Sequence, residues 1–137
     1  MVKNKYLLDT NIFLELLLDQ EKAKECYLLI SKVADGKKKC FISNFTLHSI
    51  EVLMYRKEKL KELKEFLVTL KNFKGLKIYF TDINEEIELL KASDRFNLDI
   101  DDAFQYYIAK RNRLQIVSFD KHFDKTDIKR IEPAEII

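Results

Sequence analysis

A chain of 137 residues, 47% hydrophobic, has the size of one domain with a continuous core, so residues 1–137 are expected to form a single domain. Its 25 basic and 23 acidic residues leave a formal charge of +2, which neither demands nor excludes a nucleic-acid partner. Cys26 and Cys40 lack C-x-x-C spacing and exclude a disulfide framework; no apolar run is long enough to span a bilayer and no secretory pattern opens the chain, so a cytoplasmic protein with reduced thiols is expected.

Lys5 to Asp9 is a short apolar run ending in a polar turn, where Thr10 and Asn11 can begin a helix; the pattern predicts strand, then helix. From Glu21 to Asp35, Ala23, Cys26, Tyr27, Ile30, Val33 and Ala34 recur at helical spacing, and Gly36 is placed to end that helix left-handed. CFIS reads as a second strand, after which Ser43 or Asn44 caps a helix carrying Leu47, Ile50, Glu51 and Met54. Leu60, Leu63, Phe66, Leu67 and Leu70 mark a further amphipathic helix, with Gly75 expected to end it before the strand LKIYF.

Asp82 and Glu85 have capping-box spacing at the start of a helix carrying Ile87, Leu90 and Phe96, with Asn97 as its stop. Asp99 or Asp101 then caps another helix, whose expected buried stripe is Ile100, Ala103, Phe104, Tyr107 and Ile108. QIVS reads as a strand, Asp120 to Lys125 as a turn, and Ile128 to Ile131 as a last short strand. Repeats, low-complexity tracts and linkers are absent from the sequence.

Strands separated by helices too long for hairpins imply a parallel sheet covered on both faces. Ligands of such sheets bind beyond the carboxyl ends of the strands, and Asp9 and Asp120 both fall on that edge. Glu51 inside one helix and Asp102 at the start of another complete a set of four acids that the fold can bring together. Carboxylates so gathered must take up protons or bind a cation, and oxygen ligands favour Mg²⁺ or Mn²⁺. With these acids set aside, the rest of the chain is net basic and suited to hold a polyanion beside a metal.

Each acid also has a plain structural role open to it. Asp9 can cap the following helix; Asp99, Asp101 and Asp102 crowd a helix start, where the dipole stabilises acids; Asp120 and Asp124 lie in a turn, where aspartate bonds locally to backbone. Glu51 is the exception, since its neighbours Leu47, Ile50 and Met54 are expected to be buried and an unpaired buried carboxylate is costly. His48 and His122 are read as surface or packing residues rather than ligands, and the aromatics as core.

These segments resemble the PIN-domain family, small metal-dependent nucleases that include the toxins of VapBC toxin–antitoxin pairs. YLLDTNIFLELL looks like the family's opening strand and turn with Asp9 as first acid, and SNFTLHSIEVL like the segment bearing its helical glutamate, Glu51. LDIDDAFQYYIAKRN is similar to the segment of the third acid, where Ala103 favours Asp102 over Asp101, and VSFDKHFDK to that of the fourth, Asp120. The resemblance spans essentially the whole chain.

It implies a three-layer α/β/α sandwich around a mostly parallel five-stranded sheet, a Mg²⁺ or Mn²⁺ site of Asp9, Glu51, Asp102 and Asp120, and endonucleolytic cleavage of RNA by a metal-activated water. It further implies Asn11, Asp101, Ser118 and Asp124 as supporting groups around the ligands, a cognate antitoxin and a homodimer. Ile12 to Leu18 and the face of Leu60, Leu63 and Leu67 are candidate interfaces, and Lys110, Arg111, Arg113 and Lys121 candidate phosphate contacts. The rival roles are a non-catalytic RNA- or protein-binding PIN scaffold and an RNA-processing nuclease outside any toxin–antitoxin system. A haloacid-dehalogenase-type phosphatase fails at the motif, because Asn11 stands where that family needs a second acid.

Overall fold

The structure is a computed structural model that describes residues 5–137. Four parallel strands, β1 (Tyr6–Leu8), β2 (Cys40–Ser43), β3 (Leu76–Tyr79) and β4 (Gln115–Val117), form one sheet in the order β3-β2-β1-β4. The expected fifth strand near Ile128 to Ile131 contracts to a single parallel bridge between Val117 and Ile131. Gln115 Nε2, at the head of β4, bonds the Lys129 carbonyl, Arg130 turns its side chain to the Asp124 and Glu132 carboxylates, and Pro133 ends the pairing with a 3-10 turn.

The chain crosses from β1 to β2 to β3 on one side and returns to place β4 on the other side of β1. The order therefore reverses between β1 and β4, and their carboxyl ends open a crevice of the kind in which open α/β sheets bind ligands.

Among the described residues six α-helices cover the sheet: α1 (Thr10–Leu17), α2 (Ala23–Ala34), α3 (Asn44–Arg56), α4 (Leu60–Lys71), α5 (Ile83–Phe96) and α6 (Ile100–Asn112). The period-two alternation of the strands sorts their side chains into two cores. Tyr6, Leu8, Ile42 and Val117 pack with Ile12, Phe13, Leu29, Val33, Ile50 and Met54 from α1 to α3, while Leu7 and Ile116 pack with Leu89, Phe104, Ile108 and Phe123 on the opposite face. Both faces of β1 are thus buried, which is why YLL reads as an unbroken apolar run.

The local signals are physical. The Asp82–Glu85 capping box forms, Asn97 and Arg113 end α5 and α6 in the left-handed region, and Gly36 follows α2 at φ 82°. Gly75 has a different task from the expected helix stop, since α4 ends earlier, at Lys71. A Cβ at Gly75 would lie 2.1 Å from the Lys38 carbonyl oxygen and 2.7 Å from that of Val33, so glycine lets β3 enter against the end of α2.

Helix α6 is more deeply buried than its apolar spacing suggests. Gln105 and Tyr106 are buried while Ile100 is exposed. Of the apolar stretches considered as interfaces, Ile12 and Phe13 belong to the core, Leu63 is buried, and Leu60 alone of its face is exposed. Cys26 and Cys40 are free and buried, and burial pushes both thiols up to about 12, leaving them unreactive packing groups. No helix among the described residues is long and apolar enough to cross a membrane.

Candidate metal centre

The carboxyl end of β1 delivers Asp9. Its backbone N–H bonds the Val117 carbonyl at 3.0 Å, extending the ladder to β4, while its side chain caps α1 by accepting from Thr10 N at 2.8 Å. The capping role and the strand-end role therefore coexist in one residue, one on each oxygen. Oδ2 accepts from Ser118 Oγ at 2.5 Å, and Asn11 Nδ2 lies 3.4 Å from the same hydroxyl.

Ser118, just beyond β4, is fully buried and also accepts from Asp120 N at 2.9 Å. One hydroxyl thus fixes the positions of two acids. Burial raises the Asp9 carboxyl from 3.8 to about 7, against the opposing Ser118 bond and with added repulsion from Asp101 and Asp120.

Helix α6 supplies the acids of the opposite wall. Asp99 is its N-cap, accepting from Asp102 N at 2.8 Å, and this fixes the first turn so that Asp102 points inward at 2% exposure. Desolvation raises the Asp102 carboxyl, and repulsion from Asp120, Asp99 and Asp9 adds to it. Asp101 is raised by burial as well, and its Oδ1 is buried without a hydrogen-bond partner. The helix dipole alone would lower these carboxyls, so burial and crowding with like charges dominate here.

Beneath the acids lies a buried polar junction. Thr10 Oγ1 and Thr46 Oγ1 are 2.9 Å apart and Gln105 Nε2 donates to Thr46 Oγ1 at 2.7 Å, joining α1, α3 and α6. Ser43, the N-cap of α3, accepts from Thr46 N at 2.9 Å and sets the start of the helix that carries Glu51.

Glu51 differs from its expected burial. Ile50 and Met54 turn into the core, but the Glu51 side chain is 35% exposed and its Oε1 lies 2.9 Å from His48 Nδ1, one turn back along α3. A hundred degrees of helical rotation from Ile50 carries Glu51 to the rim.

His122 makes contacts that the sequence reading missed. Its ring is exposed, yet Nδ1 sits 3.2 Å from Asp102 Oδ2 and 3.1 Å from Asp120 Oδ1. Ligand atoms of Asp102, Asp120 and His122 all lie within 4.8 Å of one another, the only such group of three or more His, Cys, Asp or Glu side chains among the described residues. The available signal was a histidine two residues after a strand-end aspartate.

Asp124 is turned away, with its carboxylate paired to Arg130 at 2.9 Å. It reaches the site only through Arg130 Nη1, which donates to the Ser118 carbonyl at 3.1 Å. Among the basic residues considered for phosphate contacts, Lys110 pairs with Asp127 at 3.1 Å, and Arg111 and Arg113 stand at the far end of α6, about 15 Å along its axis from Asp102. Lys121 is exposed beside Asp120.

The PIN domain family model matches residues 6–129, a span that includes all four candidate acids. The chain belongs to the PIN-domain family. No curated protein matches it by sequence. Among solved structures, the PIN fold is similar to Mycobacterium tuberculosis VapC20, described as a sarcin-ricin loop cleaving toxin, at TM-score 0.76 and 14% identity over 93% of this chain and 99% of that one. It is also similar to a chain of Rickettsia felis VapBC2, solved bound to a promoter DNA fragment, at TM-score 0.69 and 18% identity over 93% and 97%. Neisseria gonorrhoeae FitAcB gives TM-score 0.69 and 17% identity over 96% and 99%.

The acids fit a hard divalent cation on grounds internal to this structure. Oxygen donors converge from β1, β4 and α6; burial and mutual repulsion hold Asp9, Asp101 and Asp102 above their ordinary range; and Asp101 Oδ1 is buried with nothing to bond. A cation would remove each of these costs.

Proposed function

We propose that this PIN domain is a divalent-metal-dependent endoribonuclease that hydrolyses RNA phosphodiester bonds and is the toxin of a toxin–antitoxin pair. The observation that carries the reading is the convergence of Asp9, Asp102 and Asp120 at the β1/β4 crevice, with the carboxyls of Asp9 and Asp102 raised by burial and by their neighbours' charge. Family membership and the VapC-like fold support it.

In this reading Asp9, Glu51, Asp102 and Asp120 hold Mg²⁺ or Mn²⁺, with Glu51 turning from His48 to reach it. The cation, when bound, supplies charge stabilisation to the phosphodiester and a water acidic enough to attack near neutral pH. The chain's own groups then have separable tasks. Ser118 holds Asp9 and Asp120 in register, and the Asp99 cap holds Asp102. In this reading Asp101, near enough to raise Asp9 and with its Oδ1 buried without a hydrogen-bond partner, takes the proton released by the attacking water. Lys121 stands beside the crevice for an RNA phosphate.

The partner assignments rest on a second surface. Edge strand β3 and the residue after it leave Ile78 and Phe80 exposed, and with Leu47, Leu67, Leu70 and Phe73 they line an apolar groove of about 620 Å³. Such a groove suits a protein partner, an antitoxin or a second copy in a homodimer. The cytoplasm is the proposed location.

The nuclease is tested by cleavage of labelled single-stranded and hairpin RNAs with Mg²⁺, Mn²⁺ or EDTA, beside Asp9→Asn. Metal-dependent cutting lost in the variant supports the reading. A folded, metal-loaded protein that binds these RNAs and cuts none favours the non-catalytic scaffold.

A further inference from the structure

We propose that His122 is itself a metal ligand, giving the centre a mixed set of Asp102, Asp120 and His122 that favours Mn²⁺ and other first-row divalent ions over Mg²⁺. The inference rests on the metal-centre reading above and concerns a residue outside the four acids assigned to it.

The local fold aims the ring. Asp120 is the N-cap of the 3-10 turn Lys121–Lys125, and its Oδ1 accepts from His122 N at 2.8 Å. That bond closes a tight loop from the carboxylate to the backbone two residues on and folds the imidazole back toward the acid that caps it. Phe123, fully buried in the core on the α6 face, locks the turn from beneath, so the position of His122 is set by packing although its ring is in solvent.

The spacings suit coordination. Two cis ligand atoms on an octahedral ion with bonds of about 2.0–2.1 Å lie about 2.8–3.0 Å apart, and a larger first-row ion sets them slightly wider. His122 Nδ1 lies 3.1 Å from Asp120 Oδ1 and 3.2 Å from Asp102 Oδ2. One ring nitrogen thus stands at near-cis distance from one oxygen of each of two acids carried by different elements. A protonated Nδ1 could bridge both oxygens as a hydrogen-bond donor, whereas a neutral one meets them through a shared cation, and the nitrogen coupling read below separates the two.

The chemistry then sets the preference. Mg²⁺ is a hard ion that demands oxygen and near-ideal geometry, while Mn²⁺, higher in the first-row order, accepts an imidazole nitrogen among oxygen ligands and the later first-row ions prefer it. Glu51, held by His48 one turn back along the same helix, α3, is not among the three side chains that already meet.

The test is pulsed EPR of the Mn²⁺-loaded protein, reading nitrogen coupling to the ion, with titration calorimetry of Mn²⁺ and Mg²⁺ on wild type, His122→Gln and Asp102→Asn. Because His122 is exposed, His122→Gln is expected to fold, and circular dichroism checks it. The expected result is a directly coordinated nitrogen in wild type that vanishes in His122→Gln, a Mn²⁺ Kd raised at least tenfold and a Mg²⁺ Kd changed less than threefold. Mn²⁺ that binds in an Asp102-dependent manner without nitrogen coupling overturns the His122 assignment and leaves the acidic centre standing. Mn²⁺ binding unaffected by Asp102→Asn overturns the centre, and the His122 assignment with it.

Discussion

Ser118 Oγ donates to Asp9 Oδ2 at 2.5 Å across 109 residues of sequence, and this bond ties the ends of the two strands between which the strand order reverses. Both side chains are buried, so the bond operates where a carboxylate has little water to solvate it. Asp120 N donates to the same hydroxyl, making Ser118 the common support of two acids.

Ser118→Ala removes that support while leaving the space. Asp9 then keeps only its Thr10 bond in a buried setting, and its carboxyl is held still higher. The expected loss is about 1–3 kcal/mol near pH 7.5, read by denaturant unfolding without metal. The pH at which Mn²⁺ binding is half-developed moves upward in the variant; an unchanged pH midpoint would remove Ser118 from the account.

The stability of the metal-free protein has a definite sign with pH. Asp9, Asp101 and Asp102 are all raised above their ordinary 3.8, so the folded state holds their protons more tightly than the unfolded chain does. The contribution of Asp9 and Asp102 is fully present below pH 3.8 and is lost as pH rises through about 7, with Asp101 acting in the same direction. For Asp9 alone that change is roughly 4 kcal/mol. Thermal melts in EDTA should therefore show a lower Tm at pH 8 than at pH 5.5, and the difference should shrink in Asp9→Asn. Added Mn²⁺ should raise Tm more at pH 8, where it competes with fewer protons.

Removing one acid from the crowded set relieves repulsion among Asp9, Asp99, Asp102 and Asp120. Asp102→Asn is expected to stabilise the metal-free protein by about 1–2 kcal/mol while abolishing the metal-induced rise in Tm. Destabilisation of the metal-free variant would instead make Asp102 a structural residue. Glu51→Gln, at a half-buried rim position, should change stability by no more than about 0.5 kcal/mol, so a loss of cleavage there would report a role in the site and not in the fold.

Gly75→Ala tests the packing that positions the sheet. The added methyl meets two backbone carbonyls that cannot move without displacing the end of α2 and the entry to β2. Unfolding in urea should show a loss of more than about 2 kcal/mol.

Most of this arrangement is legible in the sequence because it follows from local chemistry. The Asp82–Glu85 box, the left-handed Asn97 and Gly36, the CFIS strand and the Ser43 cap each depend on a few adjacent residues and appear where the pattern places them. The strand-end placement of Asp9 and Asp120 follows from βα alternation alone. Features decided by tertiary packing are less visible. Burial of Gln105 reflects a hydrogen bond to Thr46, 59 residues away, and not the apolar spacing of α6. Glu51 falls at the rim because Ile50 and Met54 define the inward face of α3. His122 reaches the acids through a 3-10 turn that period-based reading treats as a loop, and the last strand shortens to one bridge because side-chain bonds and Pro133 compete with pairing.

The central claim is metal-dependent RNA cleavage by the acids gathered between β1 and β4. It is tested most directly by stripping the protein with EDTA, restoring Mn²⁺ or Mg²⁺ in graded amounts, and following cleavage of the labelled RNA panel by wild type and Asp102→Asn. The account predicts that cutting returns with the metal in wild type and stays at least a thousandfold lower in the folded variant. Cutting that persists in EDTA, or that survives Asp102→Asn, would contradict it.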